Sequence, residues 1–450
     1  MLYRKISKPI IEHFKSGSDK ILIVEGARQI GKSYIIRHIG KELFPNYVEI
    51  NLVEDKEGPR NFENVRTTEE FYLVLGSIAG SSIHIAEDTL IFLDEIQEYP
   101  QLLTLLKFLR QEGRFTYVAS GSLLGITMKH TTSIPIGSIK ILEMYPLDIE
   151  EFLIANGVEE NVLEYLHNCL IKKQSPLKAV HDRMMELFKR YLITGGMPDA
   201  VNEFLSTRNV VKIREIQREI HNLYADDAAK YDESNKLKIK RIYNLLPSVL
   251  AQKKKRLVFK DIENIRGVRS RNYIDEIDYL IDSGITLPTM AISNPKFPLV
   301  ESVQQNLLKL YLNDVGILSG ILYENNIKPI LENIDSVNLG AIYECVVAME
   351  LKSHGYKLFY YDNKKNGEVD FLIDDYNSLS ILPIEVKSGK DYNIHSALSR
   401  FINVSDYNVK QGVVLSNSGE ITEKEGIIYL PVYMTMYLGK FDPDPSEILL

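Results

Sequence analysis

The chain has 450 residues and a formal net charge of −8, and its 45% hydrophobic and 25% charged residues are typical of a soluble globular protein of roughly three domains. No apolar run approaches the roughly 18 residues of a membrane span and the N-terminus lacks a secretory apolar region, so we expect a cytoplasmic protein without membrane contact. Cys169 and Cys345 stand far apart and the nine histidines are scattered, which argues against a disulfide or a structural zinc site.

The first predicted strand ends in a glycine-containing loop. An apolar run, Ile21–Val24, precedes this loop, and a helix-like stretch, Tyr34–Phe44, follows it. The loop consists of Gly26, Ala27, Arg28, Gln29, Ile30, Gly31, Lys32 and Ser33. It fits the phosphate-loop pattern G-x-x-x-x-G-K-[ST], in which backbone N–H groups and a helix N-terminus surround an anion. We therefore predict that the loop and Tyr34 bind a nucleotide, with Lys32 on the β- and γ-phosphates and Ser33 on Mg²⁺.

A second apolar strand ends in two carboxylates. It runs through Thr89–Leu93 and continues into Asp94 and Glu95. In P-loop ATPases such an Asp holds the Mg²⁺ shell, and the adjacent Glu orients or deprotonates the attacking water. The alternative is a buried parallel strand that happens to end in an acidic turn. A Glu after the Asp favours ATP hydrolysis over a simple GTPase switch, so the pattern predicts an ATPase core that uses ATP and Mg²⁺.

Apolar runs and helical patterns alternate through residues 1–153, which is typical of a parallel sheet with helices on both faces. The predicted strands are Lys20–Glu25, Tyr47–Leu52, Thr89–Asp94, Phe115–Ser120 and Ile139–Met144. Because sites in such sheets lie at the carboxyl ends of the strands, Gly26, Asp94 and Ser120 should share one pocket. Ser120 or Ser122 follows the fourth strand, where ATPases of the AAA type place a γ-phosphate sensor. The alternative is a glycine turn with ordinary serines.

Residues 154–330 show mostly helical spacing. Within them, 239–290 indicate short helices at Ile239–Ala251, Phe259–Asn264 and Ser270–Ser283. That order suits a winged-helix unit whose recognition helix starts near Ser270, with Arg269 and Arg271 beside it. A plain helical bundle with a basic surface is the open alternative.

Basic residues concentrate between Lys236 and Arg271. Only Asp261 and Glu263 oppose them, so this basic segment carries +10. Its basic members are Lys236, Lys238, Lys240, Arg241, Lys253, Lys254, Lys255, Arg256, Lys260, Arg266, Arg269 and Arg271. Such clustering is a candidate footprint for DNA. The alternatives are a solvated helix face and a patch that docks onto acidic groups of the same protein.

From residue 331 the pattern returns to mixed α/β. A predicted helix, Gly340–His354, precedes strands at Lys357–Tyr361, Glu368–Ile373 and Leu382–Lys387. This helix, strand, turn and strand order is the context of nucleases of the PD-(D/E)xK type. Many domains with that fold serve only as scaffolds, so retained cleavage is a separate question.

Four residues of this region form the candidate site. Asp370 and Glu385 would ligate Mg²⁺, with Glu344 from the preceding helix as a further ligand. Strand alternation puts Lys387 on the same face as Glu385, where it would steady the attacking hydroxide or the developing negative charge.

Taken together, the chain resembles prokaryotic AAA-type P-loop ATPases whose C-terminal half is the domain of unknown function 4143. The matching segments are Gly26–Ser33, Leu93–Gln97, Ser120–Ser122, Met144–Asp148, Glu150–Leu153, Tyr191, Thr194–Pro198, Tyr311–Gly316, Gly367–Phe371 and Ile384–Lys387. The resemblance implies an AAA-type ATPase domain at 1–153, a helical region with a winged-helix unit at 154–330, and a restriction-endonuclease-like domain at 331–450.

The chain departs from this family at one point. Many relatives carry Gly-Arg shortly before the Pro-Leu segment, where this chain has Gly137 and Ser138. The charge would then come from Arg28, Arg110 or Arg114, or from a neighbouring subunit. Such an arginine contributes roughly 10³–10⁵ in rate, so without one hydrolysis is slow and the protein would act as a switch more than a motor.

Two hypotheses of different classes follow. The leading one is a cytoplasmic Mg²⁺-ATPase that couples its ATP state to a DNA-binding, nuclease-like C-terminal half. The second is an ATP-regulated signalling or interaction module whose C-terminal domain is catalytically silent and grips a protein partner. A transcription regulator rests only on the winged-helix prediction. An AAA-type core also makes a homo-oligomer an expectation.

Overall fold

The computed structural model describes residues 1–80, 88–122, 136–231, 236–258, 262, 273–332, 334, 337–389 and 392–439. The chain forms two compact units. The N-terminal unit consists of Tyr3–Tyr145 and Asp278–Ile285, and the C-terminal unit consists of Met1–Leu2, Pro146–Ile277 and Thr286–Leu450. The predicted helix Phe259–Asn264 and the predicted start of a recognition helix at Ser270 lie outside the described residues, apart from Ile262.

A five-stranded parallel sheet forms the centre of the N-terminal unit, as the strand pattern predicts. Its strands are β1 (Ile21–Glu25), β2 (Asn46–Asn51), β3 (Thr89–Asp94), β4 (Thr116–Gly121) and β5 (Ile139–Glu143). They lie in the order β2-β3-β4-β1-β5, and every neighbouring pair is parallel. All six residues of β3 are buried, because a strand covered by helices on both faces needs a continuous apolar run.

The helices of the N-terminal unit are α1 (Ser7–Lys15), α2 (Lys32–Leu43), α3 (Leu52–Glu57), α4 (Thr68–Ala79) and α5 (Pro100–Glu112). Local caps define where two of them begin. Asn51 accepts from the N–H groups of Val53 and Glu54, and Thr67 forms a capping box with Glu70. These caps pair N–H groups that lack a partner within the helix, so local hydrogen bonds set where the two helices begin.

The C-terminal unit begins with a helical region. Its helices, numbered on, are α6 (Ile149–Ala155), α7 (Glu160–Ile171), α8 (Lys178–Thr194), α9 (Pro198–Thr207), α10 (Val210–Tyr231), α11 (Lys236–Ala251), α13 (Val315–Tyr323) and α14 (Lys328–Glu332). Between α11 and α13 lies α12 (Ile274–Asp282), which ends inside the segment that belongs to the N-terminal unit. No helix in the described part of the chain is both long and apolar enough to cross a membrane.

An eight-stranded mixed sheet completes the C-terminal unit. Its strands are β6 (Thr286–Ile292), β7 (Val303–Leu312), β8 (Leu358–Asn363), β9 (Gly367–Asp375), β10 (Ser380–Val386), β11 (Gly412–Ser416), β12 (Thr422–Lys424) and β13 (Ile427–Pro431). Their order is β12-β13-β11-β10-β9-β8-β6-β7. The almost fully buried helix α15 (Gly340–Ser353) precedes β8, and α16 (Ser396–Ile402) connects β10 to the parallel strand β11.

Two strands lie inside the stretch that the sequence pattern describes as helical. The antiparallel pair β6 and β7 falls within 154–330 and joins the C-terminal sheet through β8. Pro288 sits within β6, and proline inside an apolar run argues against a central strand. The pair also shifts register between Met290 and Ala291, which hides the two-residue period.

Candidate functional site

The loop after β1 has the backbone that a phosphate loop requires. Gly26 has φ 152° and Gly31 has φ 93°, and Gln29 between them is also left-handed, at φ 65°. A Cβ on Gly26 would lie 2.2 Å from the carbonyl oxygen of Met144. Only glycine can therefore occupy position 26 in this conformation.

A buried arginine far from the motif supports this loop. Arg4 donates to the carbonyl oxygen of Ile30 at 2.9 Å and also to that of Tyr145. Its side chain thereby ties the loop to the end of β5. Sequence analysis missed Arg4, because a single arginine before the first strand belongs to no pattern.

Lys32 lies inside the loop. Its Nζ donates to the carbonyl oxygens of Gly26 at 2.9 Å and Ala27 at 2.7 Å. Burial lowers the pKa of Lys32, and the carboxylates of Glu95 and Asp94 offset this only in part. Two backbone carbonyl oxygens, rather than a carboxylate, thus hold the ammonium in place.

The residues predicted to hold Mg²⁺ come together at the ends of β3 and β4. Ser33 Oγ donates to Asp94 Oδ1 at 2.9 Å, and Ser120 Oγ donates to the same oxygen. Burial raises the pKa of Asp94, while the two hydroxyl donors act in the opposite direction. Hydroxyl and carboxylate oxygens are ligands that Mg²⁺ prefers, so this donor set fits the ion. Tyr34, on the same helix as Ser33, is 55% exposed.

Glu95 is held by a small polar network. Its backbone is left-handed, with φ 57°, and its Oε2 accepts from Gln97 Nε2 at 2.6 Å and from Ser122 Oγ at 3.2 Å. Arg28 Nε in turn donates to Ser122 Oγ at 3.4 Å. Gln97 is buried, and its role could have been suspected from its spacing of two residues after Glu95. The network fixes the direction of the Glu95 carboxylate.

The three arginines considered as replacements for the missing one occupy different places. Arg28 reaches Ser122 at the carboxyl ends of the strands. Arg110 donates to the carbonyl oxygen of Ser18, which precedes β1, and Arg114 lies over the ring of Tyr72 at 4.6 Å. Within the described residues, Arg28 is thus the one of the three that meets the loop network.

The C-terminal unit brings the predicted carboxylate site together. A cavity of about 890 Å³ is lined by Glu344 from α15, Asp370 from β9, Glu385 from β10 and Lys387. Lys387 Nζ lies 2.8 Å from Glu385 Oε1, and Asp370 Oδ2 accepts from the backbone N–H of Val386 at 2.8 Å. The predicted shared face of Glu385 and Lys387 is therefore observed.

Glu344 has partners that the sequence did not indicate. Lys255 Nζ lies 2.8 Å from its Oε1, and the Tyr311 hydroxyl donates to its Oε2 at 2.8 Å. A further buried lysine, Lys309, pairs with Glu368 at 2.5 Å. The only sequence signal for Lys255 was its place in the basic segment, which pointed to a different role.

The electrostatics of this site favour a cation at Asp370 and Glu385. Burial raises the pKa of Asp370 well above its usual value, and the nearby carboxylates of Glu344 and Glu385 add to the rise. Within the described residues, the buried Glu385 Oε2 has no hydrogen-bond partner. An unpartnered buried carboxylate oxygen is costly, and a divalent cation would satisfy it.

Much of the described part of the basic segment is already paired. Lys238 meets Glu276 at 3.9 Å, and Lys240 meets Asp226 at 2.6 Å. Lys254 and Arg256 both face Asp362, at 3.5 and 3.7 Å. All these pairs lie within the C-terminal unit. Lys260, Arg266, Arg269 and Arg271 lie outside the described residues.

A largely buried cluster of three possible metal ligands, at the start of α6 and the end of α15, was also missed. Asp148, Glu350 and His354 place one ligand atom each within 4.8 Å of one another. Glu350 accepts from the backbone N–H of Ile149, and His354 Nδ1 lies 2.9 Å from the carbonyl oxygen of Leu438. The Asp148 carboxylate caps α6 through Glu151, so the group joins three segments of the C-terminal unit.

Models of three known protein domains match parts of this chain. A model of the AAA domain matches residues 18–153, and models of two domains of unknown function, DUF8612 and DUF4143, match residues 185–327 and 339–435. Among curated proteins, none matches the chain.

Similar solved structures include two P-loop proteins. A Walker-type ATPase of Pyrococcus abyssi is 12% identical over 71% of this chain and 95% of its own, with a TM-score of 0.42. The RuvB Holliday junction branch migration motor of Thermotoga maritima is 14% identical over 63% of this chain and 89% of its own, with a TM-score of 0.29.

Proposed function

We propose that this chain is a Mg²⁺-dependent ATPase whose nucleotide state controls a nuclease-like carboxylate site. The premise is its membership of the AAA-type ATPases that carry the domain of unknown function 4143 at their C-terminal end. The observation that carries the proposal is the convergence of Lys32, Ser33, Asp94 and Glu95 at the carboxyl ends of β1 and β3. The AAA domain supports ATP binding, and hydrolysis and its coupling are the proposal.

In this proposal the N-terminal residues divide the work of phosphoryl transfer. Lys32 would bind the β- and γ-phosphates, and Ser33 and Asp94 would hold Mg²⁺, which would neutralise negative charge on the phosphate oxygens. Glu95 takes a proton from the attacking water, in the direction that its network sets. Ser120 or Ser122 would contact the γ-phosphate. The hydrogen bonds of Ser120 to Asp94 and of Ser122 to Glu95 would connect that contact to the two carboxylates.

The supply of positive charge in the transition state determines the rate. Gly137 and Ser138 stand where relatives carry Gly-Arg, and Arg28 is the nearby substitute that the geometry favours. An arginine finger contributes roughly 10³–10⁵ in rate. We therefore propose that the isolated chain turns over slowly unless Arg28 supplies this charge.

The C-terminal half of the proposal is a nuclease-like domain over 331–450, after an ATPase domain over 1–153 and a helical region over 154–330. The order α15, β8, β9, β10, α16 and β11 supports it, since the predicted carboxylates lie on the second and third of these strands. Asp370 and Glu385 would hold a divalent cation, and Lys387 would steady a hydroxide beside it.

A specific observation favours a second candidate, an ATP-regulated interaction module with a silent C-terminal site. Four basic residues predicted to meet DNA instead pair with acidic groups of their own unit. Surface pairs of this kind are weak, and DNA phosphates could replace their acidic partners. The leading proposal expects nucleic acid to change the ATPase rate, and the interaction module expects no change.

The deciding experiment is ATP hydrolysis by the full chain with Mg²⁺, alone and with double- or single-stranded DNA, beside a Glu95→Gln variant. Stimulation by DNA that the variant loses supports the leading proposal, and any Mg²⁺-dependent cleavage should then disappear in Asp370→Ala. Slow turnover that DNA does not change supports the interaction module. Turnover that Glu95→Gln retains would refute the role of Glu95 in either case.

A further inference from the structure

The C-terminal site contains nearly as many lysines as carboxylates. Its charged members are Glu344, Glu368, Asp370, Glu385, Lys255, Lys309 and Lys387. Three of the four carboxylates pair directly with a lysine at 2.5–2.8 Å. The site is thus largely neutralised from within, and the question is which carboxylate remains open to an external cation.

Glu344 is the carboxylate most completely occupied. Lys255 binds one of its oxygens and Tyr311 the other, each at 2.8 Å. The side chains of Lys255 and Glu344 are 11% and 5% exposed, so this is a buried ion pair rather than a surface contact. A divalent cation at Glu344 would have to lie beside the Lys255 ammonium, which repels it strongly at low local dielectric.

Neighbouring residues fix Lys255 at this place. Lys254 and Arg256, on either side of it, both face Asp362 at the end of β8. The backbone N–H of Leu257 donates to the carbonyl oxygen of Leu308 in β7 at 3.0 Å. Because the chain is held on both sides, the inward direction of Lys255 follows from the fold.

The carboxylates of Asp370 and Glu385 are less completely occupied than that of Glu344. Glu385 shares one oxygen with Lys387, and its other oxygen is buried and has no hydrogen-bond partner in the described part of the chain. Asp370 lines the same cavity, with one oxygen on the Val386 N–H. Both side chains line the same cavity, and we take them as the two ligands of one cation.

We propose that Lys255 takes the place of a second divalent cation at Glu344, so that the C-terminal site binds one divalent cation, held by Asp370 and Glu385, rather than two. This inference rests on the cation site of the proposed function. It assigns Lys255, a member of the basic segment, to the interior of the carboxylate site rather than to a DNA surface. Two-metal sites place their ions about 3.5–4 Å apart. In this proposal the Lys255 ammonium stands at the position of the second ion.

Calorimetric titration of Mn²⁺ into the nucleotide-free full chain tests the inference. Asp370→Asn reports the Mn²⁺ that binds elsewhere, so every stoichiometry is counted relative to it. Wild type should bind one Mn²⁺ more than Asp370→Asn, and Lys255→Met should bind two more. Lys253→Met removes an exposed lysine of the same segment and should match wild type.

The outcomes separate this inference from the proposed function. Two extra Mn²⁺ in wild type, or still one in a folded Lys255→Met, overturns the role of Lys255 and leaves the cation site standing. No difference between wild type and Asp370→Asn removes the cation site and this inference together.

A second measurement needs no substitution at Lys255. Electron paramagnetic resonance of Mn²⁺-loaded wild type, after subtraction of the Asp370→Asn spectrum, should show the six lines of an isolated ion. The spectrum of a coupled Mn²⁺ pair would overturn the inference even if Lys255→Met fails to fold.

Discussion

The phosphate loop and the C-terminal carboxylate site each hold a lysine, but different groups face the ammonium. Lys32 is held by two backbone carbonyl oxygens, and burial lowers its pKa. Lys387 is held by the Glu385 carboxylate, which raises its pKa although burial acts in the opposite direction. Lys309, beside Glu368, follows the second pattern.

This difference separates a site prepared for an anion from one that is neutral before any ligand arrives. Two carbonyl oxygens hold Lys32 without a direct carboxylate partner, so no ion pair has to break before a phosphate binds it. A carboxylate cancels the charge, and a ligand must then compete with an ion pair. Substitutions that break either arrangement should therefore affect different properties, ligand affinity at the first site and stability at the second.

Replacing Lys32 should produce the largest effect. We expect Lys32→Ala to weaken ATP binding at least about 100-fold, because hydrogen bonds to charged groups contribute about 1.5–3 kcal/mol each. Isothermal titration with ATP measures it. Lys41→Ala, an exposed lysine on the same helix, is the matched control and should bind ATP like wild type. Unchanged affinity in Lys32→Ala would contradict the assignment of the loop.

The stability contrast comes next in size. Lys309→Met should lower the free energy of unfolding by about 2–3 kcal/mol, since it leaves Glu368 without its lysine. This loss is below the usual range of about 3–5 kcal/mol for a buried pair because Glu368 is 25% exposed. Lys32→Met should lower the free energy of unfolding by less than about 1 kcal/mol, because no carboxylate forms a direct ion pair with Lys32 and is left unpaired. Denaturant unfolding compares the two, and equal losses would erase the distinction between the sites.

A single hydroxyl tests the same contrast at smaller scale. Ser120→Ala removes one donor from Asp94 and should weaken binding of Mg²⁺-ATP about tenfold, in line with about 1–1.5 kcal/mol for one hydrogen bond. ATP without Mg²⁺ should bind as to wild type. Tyr311→Phe removes one donor from Glu344 and should leave both ATP affinities unchanged. A loss that is equal with and without Mg²⁺ would mean that Ser120 acts on the γ-phosphate directly rather than through Asp94.

Asp314 shows what burial does to a carboxylate that backbone groups, not a lysine, stabilise. It accepts from the N–H groups of Gly196 and Ile317, yet burial raises its pKa from 3.8 to about 6. The folded state therefore holds this proton more tightly than the unfolded state does. As pH rises from about 4 to about 6, the wild-type free energy of unfolding loses this contribution.

The corresponding experiment compares wild type with Asp314→Asn by denaturant unfolding across that range. The stability of wild type relative to the variant should fall with rising pH by no more than about 1.4 kcal/mol per unit, and should level off above about pH 6. A relative stability that rises with pH would mean that the pKa of Asp314 is lowered in the folded state.

Much of the N-terminal unit could be predicted from the sequence. Its five strands were located to within one residue at every end, because a buried parallel strand is one continuous apolar run. Two motifs were recognised because each consists of consecutive residues. They are the loop from Gly26 to Ser33 and the pair Asp94 and Glu95. In the C-terminal unit, strand alternation likewise placed Lys387 beside Glu385.

The tertiary structure alone decided which distant residues complete these sites. Arg4 reaches Ile30 across 26 positions, and Lys255 reaches Glu344 across a greater separation and two strands of the sheet. The charge of Lys255 was visible in the sequence, but its direction was not, since a basic run looks the same whether it faces solvent or an internal carboxylate. Local patterns record periodicity and turn chemistry, whereas ion pairs between distant segments depend on how the strands are ordered, and that order is set by packing of the whole unit.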